Sequence, residues 1–211
     1  NACDELFVSE GHAPSFTVAG ASTQTLTMHP TLSGTYTVTL EVDVTGGTTD
    51  SCTFDVSVGG PGLRVELCWD TTPDADLDLH LHRPGRTTNW FTDDDCYYVN
   101  CKATSSTPIS SWGYADSPLT ECSGTPEGAT WTTLGSCHNP RLDIDNISTV
   151  ALPENANVDD PHDGDTFRVL VHYYGGSVTT HPIVNVFCGG ALAASYGAAP
   201  DLVTFTTSGA T

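Results

Sequence analysis

Between Asp76 and His82 the chain alternates two chemistries with a period of two. Asp76, Asp78, His80 and His82 hold the even positions, and Leu77, Leu79 and Leu81 the odd ones. Successive side chains of a β-strand point to opposite faces. A strand therefore sorts this run into one leucine face and one face of carboxylates and imidazoles. The alternation predicts a strand laid on a core, its other face carrying a row of cation-binding groups. It lies within RVELCWDTTPDADLDLHLHRP, residues 64–84, which reads as a strand, a short acidic turn and a second strand. Elsewhere helical periodicity is almost absent. Short Thr-, Val-, Tyr- and Phe-rich runs alternate with Gly, Pro, Asp and Ser clusters, the pattern of an all-β protein.

The regularity is clearest over residues 15–58, where SFTVAG, TQTLTMH, GTYTVTLEVDV and SCTFDVSV read as strands separated at Gly34 and Gly46-Gly47. The run at 59–62, Gly-Gly-Pro-Gly, reads as a linker, and a second unit is expected over 63–211. Its strands are LRVELCW, LDLHLH, TFRVLVHYY, IVNVFC, ALAASY and VTFTT (203–207). The long stretch between His82 and Thr166 is rich in Cys, Trp and Asp and has little periodicity, which marks it as functional or stapled loop.

Charge narrows the partners. Six basic residues stand against 26 acidic ones, a net charge of −20. Nucleic acid and anionic membrane would be repelled, whereas divalent cations would relieve the self-repulsion. No apolar run approaches the roughly 18 residues of a membrane span. The start carries no signal peptide, so the chain is expected to be a mature extracellular piece.

The 8 cysteines contain no CxxC pair, so disulfides in an oxidising compartment are expected rather than zinc-thiolate sites. Cys96–Cys101 and Cys122–Cys137 are close pairs. Cys3–Cys52 would tie the first unit together, and by elimination Cys68 would join Cys188.

LSGTYTVTLEV at 32–42 and SCTFDVSV at 51–58 resemble strands of PKD-type (polycystic-kidney-disease) immunoglobulin-like domains. The likeness covers 15–58 and lacks two front strands and a tryptophan. WDTTPDADLDLHLHRPG, PRLDIDNI (140–147), PENANVD (153–159) and FRVLVHYY resemble a family of bacterial secreted β-sandwich modules often found behind PKD-like domains, mostly without assigned activity. DADLDLHL is also similar to the aspartate motif of calcium-binding tellurium-resistance domains. The expected architecture is thus an immunoglobulin/PKD-like sandwich, 1–58, followed by a larger, loop-rich, disulfide-stapled β-sandwich.

Calcium is the expected cofactor. Hard cations take six to eight oxygens, and the ligands proposed are Asp76, Asp78, Asp143, Asp145 and Glu154, with Asp74, Asn146, Asn155 and the run Asp93-Asp94-Asp95 nearby. Asp143, Asp145 and Glu154 share the spacing of three EF-hand ligands, but Ile147 and Ser148 stand where that loop needs an oxygen donor and a glycine. The competing reading is a set of turn-capping aspartates. His80, His82 and His172 offer a rival zinc or copper site, against a plain role as hydrogen-bonded core histidines. No GxSxG, HExxH or spare cysteine supports catalysis, so no enzyme is expected. Trp69, Trp90, Trp112, Trp131, Tyr97, Tyr98 and Tyr114 form either a sugar platform or, as favoured, small cores under the loops. Asn146-Ile147-Ser148 matches a glycosylation sequon.

The expected function is a non-catalytic, calcium-stiffened β-protein of the cell surface, serving adhesion or assembly with a protein, a glycan or further copies of itself. The alternatives are a filament subunit joined by strand complementation and a carbohydrate-binding or polysaccharide-acting module.

Overall fold

The computed structural model describes residues 16–30, 34–43, 46–58, 62–71, 74–102, 109, 112–114, 140–142, 145–147 and 153–209. Among these residues every regular element is a β-strand, and every pairing is antiparallel. Two compact units divide between Gly60 and Pro61.

The first unit contains β1 (Phe16–Ala19), β2 (Thr27–Pro30), β3 (Gly34–Asp43) and β4 (Thr49–Val58). β1 pairs with β2 and β3 with β4, giving two two-stranded sheets. The register sets Tyr36 opposite Val56, Val38 opposite Phe54 and Leu40 opposite Cys52. One face of the β3–β4 hairpin is therefore apolar. On the other face Thr37 donates to Asp55 (2.8 Å) and Thr39 bonds Thr53 (3.0 Å). Tyr36 is buried, whereas Leu40, Val42 and Phe54 are about half exposed.

The second unit contains β5 (Leu63–Cys68), β6 (Ala75–His82), β7 (Asp95–Cys96), β8 (Arg141–Leu142), β9 (Glu154–Val158), β10 (Arg168–Gly176), β11 (Ile183–Cys188) and β12 (Ala191–Tyr196). They form a three-stranded sheet, β10-β6-β7, and a five-stranded sheet, β12-β11-β5-β9-β8. One core joins the two sheets. β6 contributes Leu77, Leu79 and Leu81, each at 0 % exposure, packed with Val65, Leu67, Leu142, Ala156, Val158 and Tyr173. Removing a leucine side chain from water is worth roughly 1.5–3 kcal/mol, so this strand anchors the fold. The leucine face lies in the core, as the alternation predicts. The opposite face is buried too: Asp78, His80 and His82 are at 2 %, 0 % and 0 % exposure. These polar groups are thus interior chemistry rather than wetted surface.

Two sequence expectations change. Residues 153–159, read as an acidic loop, include strand β9, every residue of it buried. Its sheet neighbours β5 and β8 override the poor strand propensity of Glu and Asn. Conversely, 203–207 is not a strand. Phe205 makes a single bridge to Thr180 and stacks near Tyr173, ring centroids 6.4 Å apart.

Cys96 and Cys101 form a disulfide, their Cα atoms 5.1 Å apart. The other expected pairs on described cysteines do not form. Cys52 and Cys188 are exposed free thiols, and Cys68 is disulfide-bonded but to neither of them. The β5–β11 register gives the reason: Cys68 faces Ile183 while Cys188 faces Leu63. Five residues at about 3.3 Å each separate the two thiols along the ladder, far beyond the roughly 7 Å limit of a disulfide. Cys3, Cys122 and Cys137 lie outside the described residues.

Trp69, Trp112, Tyr97 and Tyr114 are buried, which matches core filling rather than an exposed sugar platform; Trp131 lies outside the described residues. Asn146, the first residue of the sequon, is only 7 % exposed; Ser148 lies outside the described residues. Among the described residues no helix is long and apolar enough to cross a membrane.

Candidate metal centre

Asp78 is the pivot of two groups of ligand-bearing side chains. Asp78, Asp145 and Glu154 form one, and Asp78, His80 and His172 the other. Within each group the potential ligand atoms lie within 4.8 Å of one another.

The oxygen-rich group is assembled by Glu154. Strand β7 is two residues long and pairs with β6 at Leu81 and His82, so among the described residues no strand pairs with this edge of β6 at Leu79. The Leu79 N–H donates instead to Glu154 Oε2 (2.7 Å). Glu154 Oε1 accepts the Asn146 N–H (3.0 Å). One fully buried carboxylate thus ties β6 to the 145–147 segment and brings Asp145 toward Asp78. Lys102 Nζ donates to Asp145 Oδ2, the single amine in this acidic neighbourhood.

Three carboxylate oxygens here are buried without a hydrogen-bond partner: Asp76 Oδ1, Asp78 Oδ2 and Asp145 Oδ1. The electrostatics reflect that crowding. Burial first, then Asp76 and Asp145, pushes Asp78 up to about 8, against the pull of Lys102. Burial and Asp145 also raise Asp76. Burial drives Glu154 well above the usual carboxylate range despite its two backbone donors. A carboxylate set that resists ionising alone gains most from a cation, which supplies the missing countercharge.

The second group uses the polar face of β6 and its neighbour β10. Register places His172 directly across from Asp78, and His172 Nδ1 stands 3.4 Å from Asp78 Oδ2. Neither atom has a hydrogen bond. His80 Nδ1 lies 2.8 Å from Asp95 Oδ2, while its Nε2 is buried and unpartnered. Aromatic rings wall the site: Tyr97 stacks on His80 at 4.9 Å, and Phe91 meets its edge at 4.7 Å. Burial and the neighbouring His80 lower the pKa of His172.

Of the ligands expected from sequence, Asp78, Asp145 and Glu154 converge. Asp76 adds an unpartnered buried oxygen coupled to them. Asp143 lies outside the described residues. Asp95 instead belongs to His80, Asp94 faces Arg83 and Arg86, and Asn155 Oδ1 accepts from Arg64 (2.7 Å). His82 does not join the other imidazoles. Its Nε2 bonds Thr88 Oγ1 (3.1 Å), its Nδ1 lies 3.3 Å from the Arg83 carbonyl, and its ring meets Trp90. His82 is a satisfied core histidine.

Asp95 stands in the acidic run that the sequence offers as calcium ligands, but its role as the partner of His80 has no periodic signal. Lys102 has no signal beyond its place beside Cys101. No family model, curated protein or solved structure matches the chain.

Proposed function

We propose that the chain is a non-catalytic, extracellular β-protein whose second unit is stiffened by calcium, and that it serves adhesion or assembly at a cell surface. One observation carries this reading: the buried, unpartnered oxygens Asp76 Oδ1, Asp78 Oδ2 and Asp145 Oδ1 beside buried Glu154. Burying such groups unpaired is costly, and a hard cation accepting their lone pairs removes that cost. The net charge of −20 favours cation uptake, and the Cys96–Cys101 disulfide suits an oxidising compartment. In this reading the second unit is the β-sandwich module and the first the PKD/immunoglobulin-like domain that their sequences resemble. Function rests on rigidity: the ion holds the 145–147 segment against β6, and the sandwich presents a fixed surface to a protein or glycan. The test is thermal unfolding with calcium and with chelator. An increase of several degrees with calcium, lost in Asp145→Asn, supports the reading; identical melts refute it.

A second reading, a subunit that self-associates through its first unit, is favoured by the apolar β3–β4 face. Leu40, Val42 and Phe54 stand exposed there on a two-stranded sheet, an arrangement only marginally stable by itself.

A further inference from the structure

We infer that His80 Nε2, His172 Nδ1 and Asp78 Oδ2 form a second, nitrogen-containing site for a first-row divalent transition ion of the Zn²⁺ type, which shares Asp78 with the calcium group. Four features of the geometry point to it.

An ionised carboxylate has no proton to donate and only accepts, and Asp95 Oδ2 already accepts the Phe91 N–H (2.8 Å). Its contact with His80 therefore puts the proton on Nδ1 and leaves a lone pair on Nε2. Carboxylate, imidazole and free nitrogen in series is the arrangement that orients metal-binding histidines. Nε2 is fully buried and meets no donor.

Spacing comes next. Ligands about 2.0–2.1 Å from a tetrahedral zinc stand roughly 3.4 Å apart. His172 Nδ1 and Asp78 Oδ2 are 3.4 Å apart, and Asp78, His80 and His172 each offer a ligand atom within 4.8 Å of the others.

The backbone supplies a third sign. Phe91 has φ 64°, a left-handed conformation that is rare for a bulky residue and costs about 1–3 kcal/mol. Its N–H bond to Asp95 holds it there. Its ring packs on both His80 (4.7 Å) and His172 (5.3 Å). The same carboxylate thus sets the histidine tautomer and shapes the wall over the imidazoles.

Ligand chemistry selects the ion. Calcium avoids imidazole, whereas zinc, iron, copper and nickel accept a two-histidine, one-carboxylate set. Beside a formed disulfide, redox-inert Zn²⁺ is the expected member. Three protein ligands leave a fourth position for water or a donor atom from a partner.

The test uses the whole chain, stripped with chelator and loaded with Zn²⁺ in excess Ca²⁺, with the bound metal counted by native mass spectrometry and affinity measured by calorimetry. One Zn²⁺ per chain is expected. It should be lost in His172→Ala, weakened roughly 10- to 100-fold in Asp95→Asn, and retained in Asp145→Asn, which removes a ligand of the calcium group only. Co²⁺ in the wild-type chain reports the site without any mutation, through the intense visible bands of a four-coordinate, nitrogen-containing centre. Failure to bind Zn²⁺, equal binding by His172→Ala, loss in Asp145→Asn as complete as in His172→Ala, or a pale octahedral Co²⁺ spectrum would each overturn the inference. Both groups use Asp78, so the unshared ligands separate them: calcium-dependent melting lost in Asp145→Asn reports the oxygen group, zinc binding lost in His172→Ala reports the nitrogen group, and either can fail without the other.

Discussion

Asp95 and His80 are held 2.8 Å apart with both side chains at 0 % exposure, and this pair sets the proton on the ring that groups with Asp78 and His172. Replacing the carboxylate by an amide reverses the logic, because an amide N–H₂ can donate to Nδ1. Asp95→Asn should shift His80 toward the opposite tautomer. It should also destabilise the chain by about 1–3 kcal/mol, the typical cost of impairing a buried charge-assisted bond. Imidazole ¹⁵N chemical shifts read the tautomer, and denaturant melts read the stability. An unchanged tautomer would show that Asp95 does not control this ring.

Glu154 bears on stability in a way its charge alone would not suggest. Both oxygens accept backbone N–H groups, from Leu79 and Asn146. In Glu154→Gln one of those N–H groups must face an N–H₂. The variant should lose about 1–3 kcal/mol even though it removes a buried acid, and hydrogen exchange at Leu79 and Asn146 should accelerate. Equal or greater stability in Glu154→Gln would mean that these bonds do not hold the 145–147 segment.

Thiol chemistry separates the cysteines. Native-state alkylation should label Cys52 and Cys188 and spare Cys68, Cys96 and Cys101, as peptide mapping would show. Cys188→Ser should change stability by less than about 0.5 kcal/mol, an exposed-site substitution. Opening the short Cys96–Cys101 loop should cost about 2 kcal/mol on the chain-entropy treatment. Protection of Cys188 in the native chain would contradict the β5–β11 register.

What the sequence made legible follows from periodicity. The leucine and acid-imidazole faces of β6 were readable because a strand repeats every two residues and Leu77, Leu79 and Leu81 leave no other solution. The partners of that face were not. His172 meets Asp78 only through the β6–β10 register, which shifts at a bulge between Tyr173 and Gly175. Gly176 there has φ 127°, and a Cβ on it would fall 2.5 Å from the Asp74 carbonyl oxygen. Asp95 reaches His80 from a two-residue strand that has no period to detect. Glu154, expected as a ligand, does converge with Asp78 and Asp145, but its run reads as loop, because a strand of Glu and Asn is recognisable only from the neighbours that bury it. The Cys96–Cys101 pair is legible from its short spacing, whereas the Cys68–Cys188 pair fails for the same reason as Glu154: elimination counts cysteines, and register decides which of them can meet.

The first unit yields a prediction independent of metal. Leu40, Val42 and Phe54 share one face of the β3–β4 hairpin and are 55 %, 48 % and 51 % exposed. If that face mediates self-association, Leu40→Asp together with Phe54→Asp should convert an oligomer to monomer in sedimentation at high concentration, without lowering the melt of the second unit. A wild-type chain that is monomeric under those conditions would remove the filament reading.

The pH response of the metal-free chain follows from the same crowding that favours a cation. Asp78 is raised to about 8, and Asp76 and Glu154 are raised with it; in the unfolded chain such groups titrate near ~4. A carboxyl group with a raised folded-state pKa binds its proton more tightly when folded. Its stabilising contribution is whole below the unfolded value and declines as pH climbs toward the folded one. Without divalent ions the melting temperature of the second unit should therefore fall between about pH 5 and pH 8. Asp70 shifts the other way: burial opposes the shift, but its bonds to His181 prevail and lower it. Groups of that kind lose stability as pH falls through the folded value, below about pH 4, and so stay outside the window. A cation takes the place of the proton, so saturating calcium should flatten the decline and raise the melting temperature more at pH 8 than at pH 5. Calorimetric scans at both pH values, with ion and with chelator, measure this difference. Parallel curves would show that Asp78 and its neighbours meet neither proton nor metal in the folded chain.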